Sequence, residues 1–136
     1  MQPPVGITNE GKWIRHCCVI YARACEVVEG KIGIIEAARA FMPLISWTRA
    51  GSDPDLAVFR HLNDAVIELP VGVERAMWAA HALAREDVKI RAIERKWHEK
   101  ALRAARNIKD KYAWSLEARA ALRKAAREAQ GGKHAG

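Results

Sequence analysis

Three cysteines and a histidine lie close together near the start of the chain and are residue types that bind zinc. His16 precedes the adjacent pair Cys17 and Cys18, and Cys25 lies seven residues beyond Cys18. On a helix, Cys18 and Cys25 would share one face about 10 Å apart, too far to ligate one ion through Zn–S bonds of about 2.3 Å. Three cysteines also do not make a disulfide framework. We interpret them as small buried residues in reduced form and predict neither a metal nor a cofactor.

Two pairs of acidic residues and histidines have spacings that place both side chains on one helix face. Glu94 and His98 are four residues apart, and His61 and Asp64 are three apart. A metal would need further ligands from other helices, and acid–base work would need a polar cleft and a perturbed pKa. The chain also has no Walker A motif, G-x-G-x-x-G, H-E-x-x-H or G-x-S-x-G. We therefore predict no catalytic residues, although an enzyme or metal protein with an unrecognised site stays open.

Basic charge is concentrated in the second part of the chain. Residues 1–84 hold eight Lys/Arg and nine Asp/Glu, whereas residues 85–136 hold fifteen and seven, a net charge of +8. The most regular cationic positions, four of them, lie near the C-terminus: Arg119, Arg123, Lys124 and Arg127. Like charges one helical turn apart repel, and a phosphate backbone would relieve that repulsion and release counterions.

These four cations have several interpretations. They could contact nucleic acid, an acidic protein or an anionic membrane surface, or they could simply keep a C-terminal tail solvated. The apolar face of the tail is mostly Ala, which is small for membrane insertion. We predict a polyanion contact at Arg119, Arg123, Lys124 and Arg127, with nucleic acid as an alternative to a protein partner.

One uninterrupted stretch, Ala80–Tyr112, is expected to position much of the chain. It has no Pro or Gly and is rich in Ala, Glu, Lys, Arg and Leu, which predicts a single long helix. Its apolar stripe follows helical spacing and consists of Leu83, Ile90, Ile93, Trp97, Ala101, Ala104, Ile108 and Tyr112. A helix of about 33 residues spans about 50 Å, more than a compact domain of this size, so part of it must project or find a partner.

The side chains of this stripe become smaller along the helix, which suggests that its two halves have different roles. Large residues through Trp97 are expected to anchor the core, whereas the stripe from Ala101 onward is expected to meet a partner. We predict that the partner is a second copy or another protein. The interface residues that we predict are Pro70, Val71, Gly72, Trp78, Ile108 and Tyr112.

Three shorter helices should pack on the long one. They cover residues 11–29, 32–42 and 53–63, with Pro43 ending the second and Asp53-Pro54 starting the third. Residues 44–48 and 65–69 could be extended and pair as a two-stranded element. The fold class is thus all-α (mainly α), with three shorter helices packed on one long C-terminal helix.

The domain organisation follows from these elements. We expect a loose N-terminal arm at 1–8, a single helical domain at 9–112 and a basic, Ala-rich, helical or frayed tail at 113–136. No apolar run reaches the ~18 residues that a membrane span needs, and the start is not a signal peptide. We therefore predict a cytoplasmic protein with no membrane span.

Several short motifs resemble a family of small bacterial proteins that is defined only as a domain of unknown function. The motifs are Gly33-Ile34-Ile35-Glu36-Ala37-Ala38-Arg39, Asp53-Pro54-Asp55 with Phe59, Leu69-Pro70-Val71-Gly72, Trp78, and Ala82-Leu83-Ala84-Arg85 with Asp87. The resemblance covers about residues 30–108. It implies a bacterial origin and a mainly helical fold, and it supplies no activity.

Taken together, these features favour a non-enzymatic bacterial interaction protein. It would self-associate or bind another protein through the long helix and the turn that precedes it. The alternative is a nucleic-acid-associated protein that uses the basic C-terminal residues. An enzyme or metal protein is the third interpretation.

Overall fold

The computed structural model describes residues 2–67 and 79–135. Within these ranges the chain forms helices and no strand. The helices are α1 (Glu10–Val28), α2 (Ile34–Thr48), α3 (Pro54–Val66), α4 (Ala80–Tyr112) and α5 (Trp114–Ala135). The all-α class and the shorter helices packed on a long C-terminal one are confirmed.

Local capping explains where the shorter helices begin and end. The side chain of Asn9 accepts a hydrogen bond from Lys12 N at 2.9 Å at the start of α1. Asp53 Oδ1 caps α3 by accepting from the backbone N–H groups of Asp55 at 2.9 Å and Leu56 at 3.2 Å. At the end of α2, Arg49 takes a left-handed conformation with φ of 55°.

The predicted two-stranded element is wrong. Pro43 does not end α2, which continues through Thr48, so residues 44–48 are helical. Residues 65 and 66 form the end of α3, while 68 and 69 lie outside the described residues. The physical reason is helical spacing across the proline, because Phe41, Leu44, Ile45 and Thr48 are all buried on one face.

The core lies where α1, α2 and α3 meet the second half of α4. Its largest fully buried apolar side chains are Phe41, Phe59, Ile20, Leu56, Leu62, Ile108, Val66 and Cys17. The rings of Phe41 and Phe59 lie 4.8 Å apart, which joins α2 to α3 at the centre of this core.

Helix α4 runs antiparallel to α1 and is longer than it. Trp13, near the start of α1, borders the same cavity as Tyr112, and Val28, at its end, shares a groove with Leu102. Because α1 has 19 residues and α4 has 33, α4 exceeds α1 by about 20 Å. The first half of α4 therefore extends past the end of α1.

The expected division of α4 is wrong, because the buried half is the second one. Within the described residues of α4, Ile90 is the one buried residue of the first half, whereas the second half contributes Ala101, Ala104, Ala105, Ile108 and Tyr112. The larger Ile93 and Trp97 are only half-buried. Small alanines let neighbouring helices approach closely, so a thin apolar stripe marks the tightly packed side of this helix rather than a weak one.

Helix α5 begins on the bundle and then leaves it. Ala113 interrupts the helix between α4 and α5. Across this interruption, Ser115 Oγ donates a hydrogen bond to the carbonyl oxygen of Tyr112 at 2.7 Å. Cys18 Sγ donates to the carbonyl oxygen of Ser115 at 3.2 Å, and Ser115 is buried. The first turn of α5 thus packs on α1, although residues 113–136 were expected to form a tail outside the helical domain.

The N-terminal arm, which was expected to be loose, lies against the helices. Ile7 packs on the core, and Gly6 adopts a φ of +93° that favours glycine. A Cβ at Gly6 would lie 2.9 Å from Arg49 Nη1, so the arm passes closely over the end of α2.

Candidate functional site

The predicted protein interface is not assembled by the described residues. Ile108 is 0% exposed and Tyr112 is 8% exposed, so both belong to the core and the prediction of an interface there is wrong. Pro70, Val71, Gly72 and Trp78 lie outside the described residues. From Ala101 onward, the apolar stripe of α4 packs against the other helices and is not available to a partner.

Beside Tyr112, a cluster of charged side chains ties the end of α4 to the start of α3. Lys111 Nζ lies 2.8 Å from Asp55 Oδ2 and 2.9 Å from Asp53 Oδ1. Asn107 Nδ2 donates to Asp55 Oδ1 at 3.1 Å. Burial alone would lower the pKa of the Lys111 ammonium, but its hydrogen bonds to Asp55 and Asp53 outweigh burial and raise that pKa. The two carboxylates accept hydrogen bonds from Lys111, and Asp53 also accepts from the backbone N–H groups at the start of α3. The cluster therefore has a structural role, because it holds α4 against α3.

Cys17 and Cys18 are buried packing residues, as expected, whereas Cys25 is only partly buried. Cys17 is buried, and burial, with a smaller contribution from Cys18, raises the pKa of its thiol to about 12. A thiol with that pKa stays protonated at neutral pH and is a poor nucleophile or metal ligand. Cys18 is also buried and donates to the Ser115 carbonyl, as described above. Among the described residues, no group of three or more His, Cys, Asp and Glu could hold a metal ion.

The paired acidic residues and histidines lie on the surface. Glu94 and His98 are exposed and border a groove of about 300 Å³ between α4 and the end of α1, whose other walls include Val28 and Leu102. His61 and Asp64 are exposed on α3. Glu94 and His98 also border a groove of about 530 Å³ whose other lining residues are Arg91, Arg95, Lys96 and Glu99. All six residues are exposed on α4, so this groove is an open helix surface rather than an enclosed polar cleft.

The basic residues of α5 lie where a large ligand could reach them. Arg119 is half-buried, whereas Arg123, Lys124 and Arg127 are exposed. Every residue from 120 to 131 is exposed, although Leu122 still lies close to Gly11 of α1. The part of α5 beyond Leu122 (its exposed half) has left the bundle. None of the four cations makes a hydrogen bond or ion pair with another described residue.

A groove that the sequence did not predict lies between the N-terminal arm and helices α1 and α2. Its volume is about 480 Å³, and its lining consists of Gly6, Ile7, Thr8, Asn9, Lys12, Trp13, His16 and Trp47. The rings of His16 and Trp47 stack with centroids 5.0 Å apart and planes 27° apart. His16 and Trp47 are distant in sequence and come from two helices, so no spacing pattern could have paired them.

Comparisons with known proteins give no information about these sites. No family model, curated protein or solved structure matches the chain. The resemblance to a family of small bacterial proteins therefore stays a prediction. No described helix is long and apolar enough to cross a membrane.

Proposed function

We propose that this protein binds nucleic acid through the basic stripe of α5, defined as Arg119, Arg123, Lys124 and Arg127. The observation that carries the proposal is the exposure of the last three of these cations on a helix that has left the bundle. They have no acidic partner among the described residues, so their charge is available to a polyanion.

The physical argument rests on charge without compensation. Residues 85–136 carry a net charge of +8, and within α5 only Glu117 and Glu128 oppose the basic residues. Cations spaced one turn apart repel along the helix, and phosphates brought close to them replace that repulsion with attraction. Released counterions drive such binding, which therefore weakens steeply as salt rises. Free cysteines, of which Cys17 and Cys18 are buried, fit a reducing, cytoplasmic location for this activity.

The direct test measures how binding depends on salt. Short fluorescein-labelled single-stranded and duplex oligonucleotides are titrated with the protein, and anisotropy gives Kd at several salt concentrations. The variant replaces Arg123, Lys124 and Arg127 by Ala, which keeps helix propensity. Since each phosphate contact contributes a slope of about 0.7–0.9 in the logarithmic plot, we expect the slope to fall by about 2–3.

A matched control removes the same charge elsewhere. Replacing Arg91, Arg95 and Lys96 by Ala also removes three exposed cations, but from α4. This control should change the slope by less than about 1. Equal losses in the two triple variants, or no binding by the unaltered protein at low salt, would overturn the proposal.

A second candidate, self-association through the first half of α4, is favoured by one observation. Val88 on α4 is 57% exposed, and Ile67 at the end of α3 is 64% exposed. Arg91, Glu94 and Arg95 give this half of α4 charges of both signs, which two copies related by a twofold axis could pair. Light scattering after size exclusion tests it: a dimer that Val88→Asp dissociates supports self-association, and a monomer at all concentrations contradicts it.

A further inference from the structure

We propose that the groove between the N-terminal arm and α1 and α2 binds one nucleotide unit, with its base stacked on Trp47 and its phosphate on Lys12. This inference rests on the proposed function, because it names the site at which the same ligand, a nucleic acid, would have one of its bases bound. A free mononucleotide and one residue of a single strand share this chemistry, and the experiment below separates them.

Trp47 is placed as a stacking platform. It is 55% exposed although it is a large aromatic residue in the interior of α2. Its ring is supported by the ring of His16 at 5.0 Å, which restricts its orientation. Aromatic side chains with one supported and one open side bind bases without sequence preference, since every base has a π-face. Trp13 and Trp114, by contrast, pack against each other.

The charge of the groove suits a phosphate. Lys12 is exposed, and only its backbone N–H is engaged, by Asn9. Its ammonium group has no hydrogen bond or ion pair with the rest of the described chain. None of the described lining residues is acidic, so nothing in the walls repels an anion. The combination of aromatic rings with a cation fits a base and its phosphate better than it fits a hydrocarbon chain.

His16 lines the same groove and supports Trp47 from below. Its Nδ1 is buried and has no hydrogen-bond partner among the described residues. Burial, followed by the charges of Lys12 and Arg15, lowers the pKa of His16, so its imidazole is neutral at neutral pH. A neutral imidazole stacks under Trp47 without adding repulsion to the nearby lysine, and it keeps one donor and one acceptor nitrogen.

Variants at Trp47 and Lys12 test the assignment. Thymidine monophosphate, adenosine monophosphate, inorganic phosphate and an oligothymidylate are titrated while tryptophan emission is followed. We expect saturable quenching by the nucleotides and the oligothymidylate and none by inorganic phosphate. Trp47→Leu should reduce this quenching to the part that comes from Trp13, which also lines the groove, and should weaken binding of the oligothymidylate about tenfold. Trp47→Phe should restore the affinity. Lys12→Ala should weaken nucleotide binding, and the control Lys96→Ala on α4 should not.

The outcomes separate this inference from the proposed function. Quenching by mononucleotides supports a small-ligand site, and quenching by the oligothymidylate alone supports one residue of a single strand. Unchanged affinity in Trp47→Leu, or quenching by inorganic phosphate alone, overturns the inference. If oligonucleotides bind with a steep salt dependence but without involving Trp47, only the groove fails. If mononucleotides bind at Trp47 while the triple variant of α5 changes nothing, only the basic stripe fails.

Discussion

The rings of Trp13 and Trp114 lie 5.2 Å apart with their planes inclined by 33°. This contact joins the first turn of α1 to the first turn of α5, across a separation of about a hundred residues in sequence. It holds the start of α5 on the bundle and thereby fixes the point from which its exposed half departs. The basic stripe is consequently presented by a supported helix rather than by a free chain end.

Two truncations should distinguish the packed and exposed parts of α5. Ending the chain after Tyr112 removes Trp114 and the buried Ser115, whereas ending it after Leu122 keeps both. Since loss of a well-packed Trp side chain costs about 3–5 kcal/mol, the shorter chain should lose at least about 3 kcal/mol of unfolding free energy. The longer chain should lose less than about 1 kcal/mol. Urea denaturation followed by circular dichroism measures both.

Equal stabilities of the two truncated chains would contradict this account of α5. Trp114→Ala in the untruncated 136-residue chain provides the control for chain length, because it removes the ring contact and keeps the helix. Its cost should be about 2–3 kcal/mol, since Trp114 is half-buried.

The packing of α4 predicts unequal effects of the same substitution at two positions. Ile108 is fully buried in the second half of α4, whereas Ile93 is half-buried in the first half. Ile108→Ala should lower the unfolding free energy by about 2–5 kcal/mol, because it leaves a cavity between packed helices. Ile93→Ala should cost about half as much or less. A larger loss of unfolding free energy for Ile93→Ala than for Ile108→Ala in urea denaturation would show that the first half of α4 packs in the core.

Stability should fall as pH rises above about 9. Burial raises the pKa of Cys17 to about 12 and raises that of Tyr112, and hydrogen bonds to Asp55 and Asp53 raise that of Lys111 against the effect of burial. Because the folded state holds these protons more tightly, it binds more protons than the unfolded state above the unfolded pKa values. Stability is therefore full below about pH 9 and decreases toward the folded pKa values.

Denaturant midpoints between neutral pH and about pH 11 test this dependence. Cys17→Ala removes one of the three groups, so its decrease should be shallower even though its stability at neutral pH is lower. A midpoint that stays constant, or rises, across this alkaline range would show that these protons are not held by the folded state.

The sequence predicted most helices because each of their signals is local. Asp53 followed by Pro54 marked the start of α3, and the long run without Gly or Pro marked α4. Pro43 misled the prediction, since one proline was given more weight than the buried spacing of Leu44, Ile45 and Thr48 across it. A proline costs a helix one backbone hydrogen bond, and burial on both sides of it offsets that loss here.

Two features could not be predicted from local sequence patterns, because they depend on contacts between residues distant in sequence. They are the burial along α4 and the set of residues that line the groove at Trp47. Large side chains near Trp97 suggested a core, but the length of α1 decides which part of α4 is covered. Likewise, the cations of α5 were visible in the sequence, whereas the stacking of His16 on Trp47 required the crossing of α1 and α2.

The most direct test of the central claim compares nucleic-acid binding by the 136-residue chain and by the chain that ends after Leu122. The shortened chain keeps the packed turn of α5 and loses Arg123, Lys124 and Arg127. We predict that the slope of log K against log salt falls in magnitude by about 2–3 on truncation, with a matching loss of affinity at low salt. Equal slopes and affinities for the two chains would contradict binding through the basic stripe.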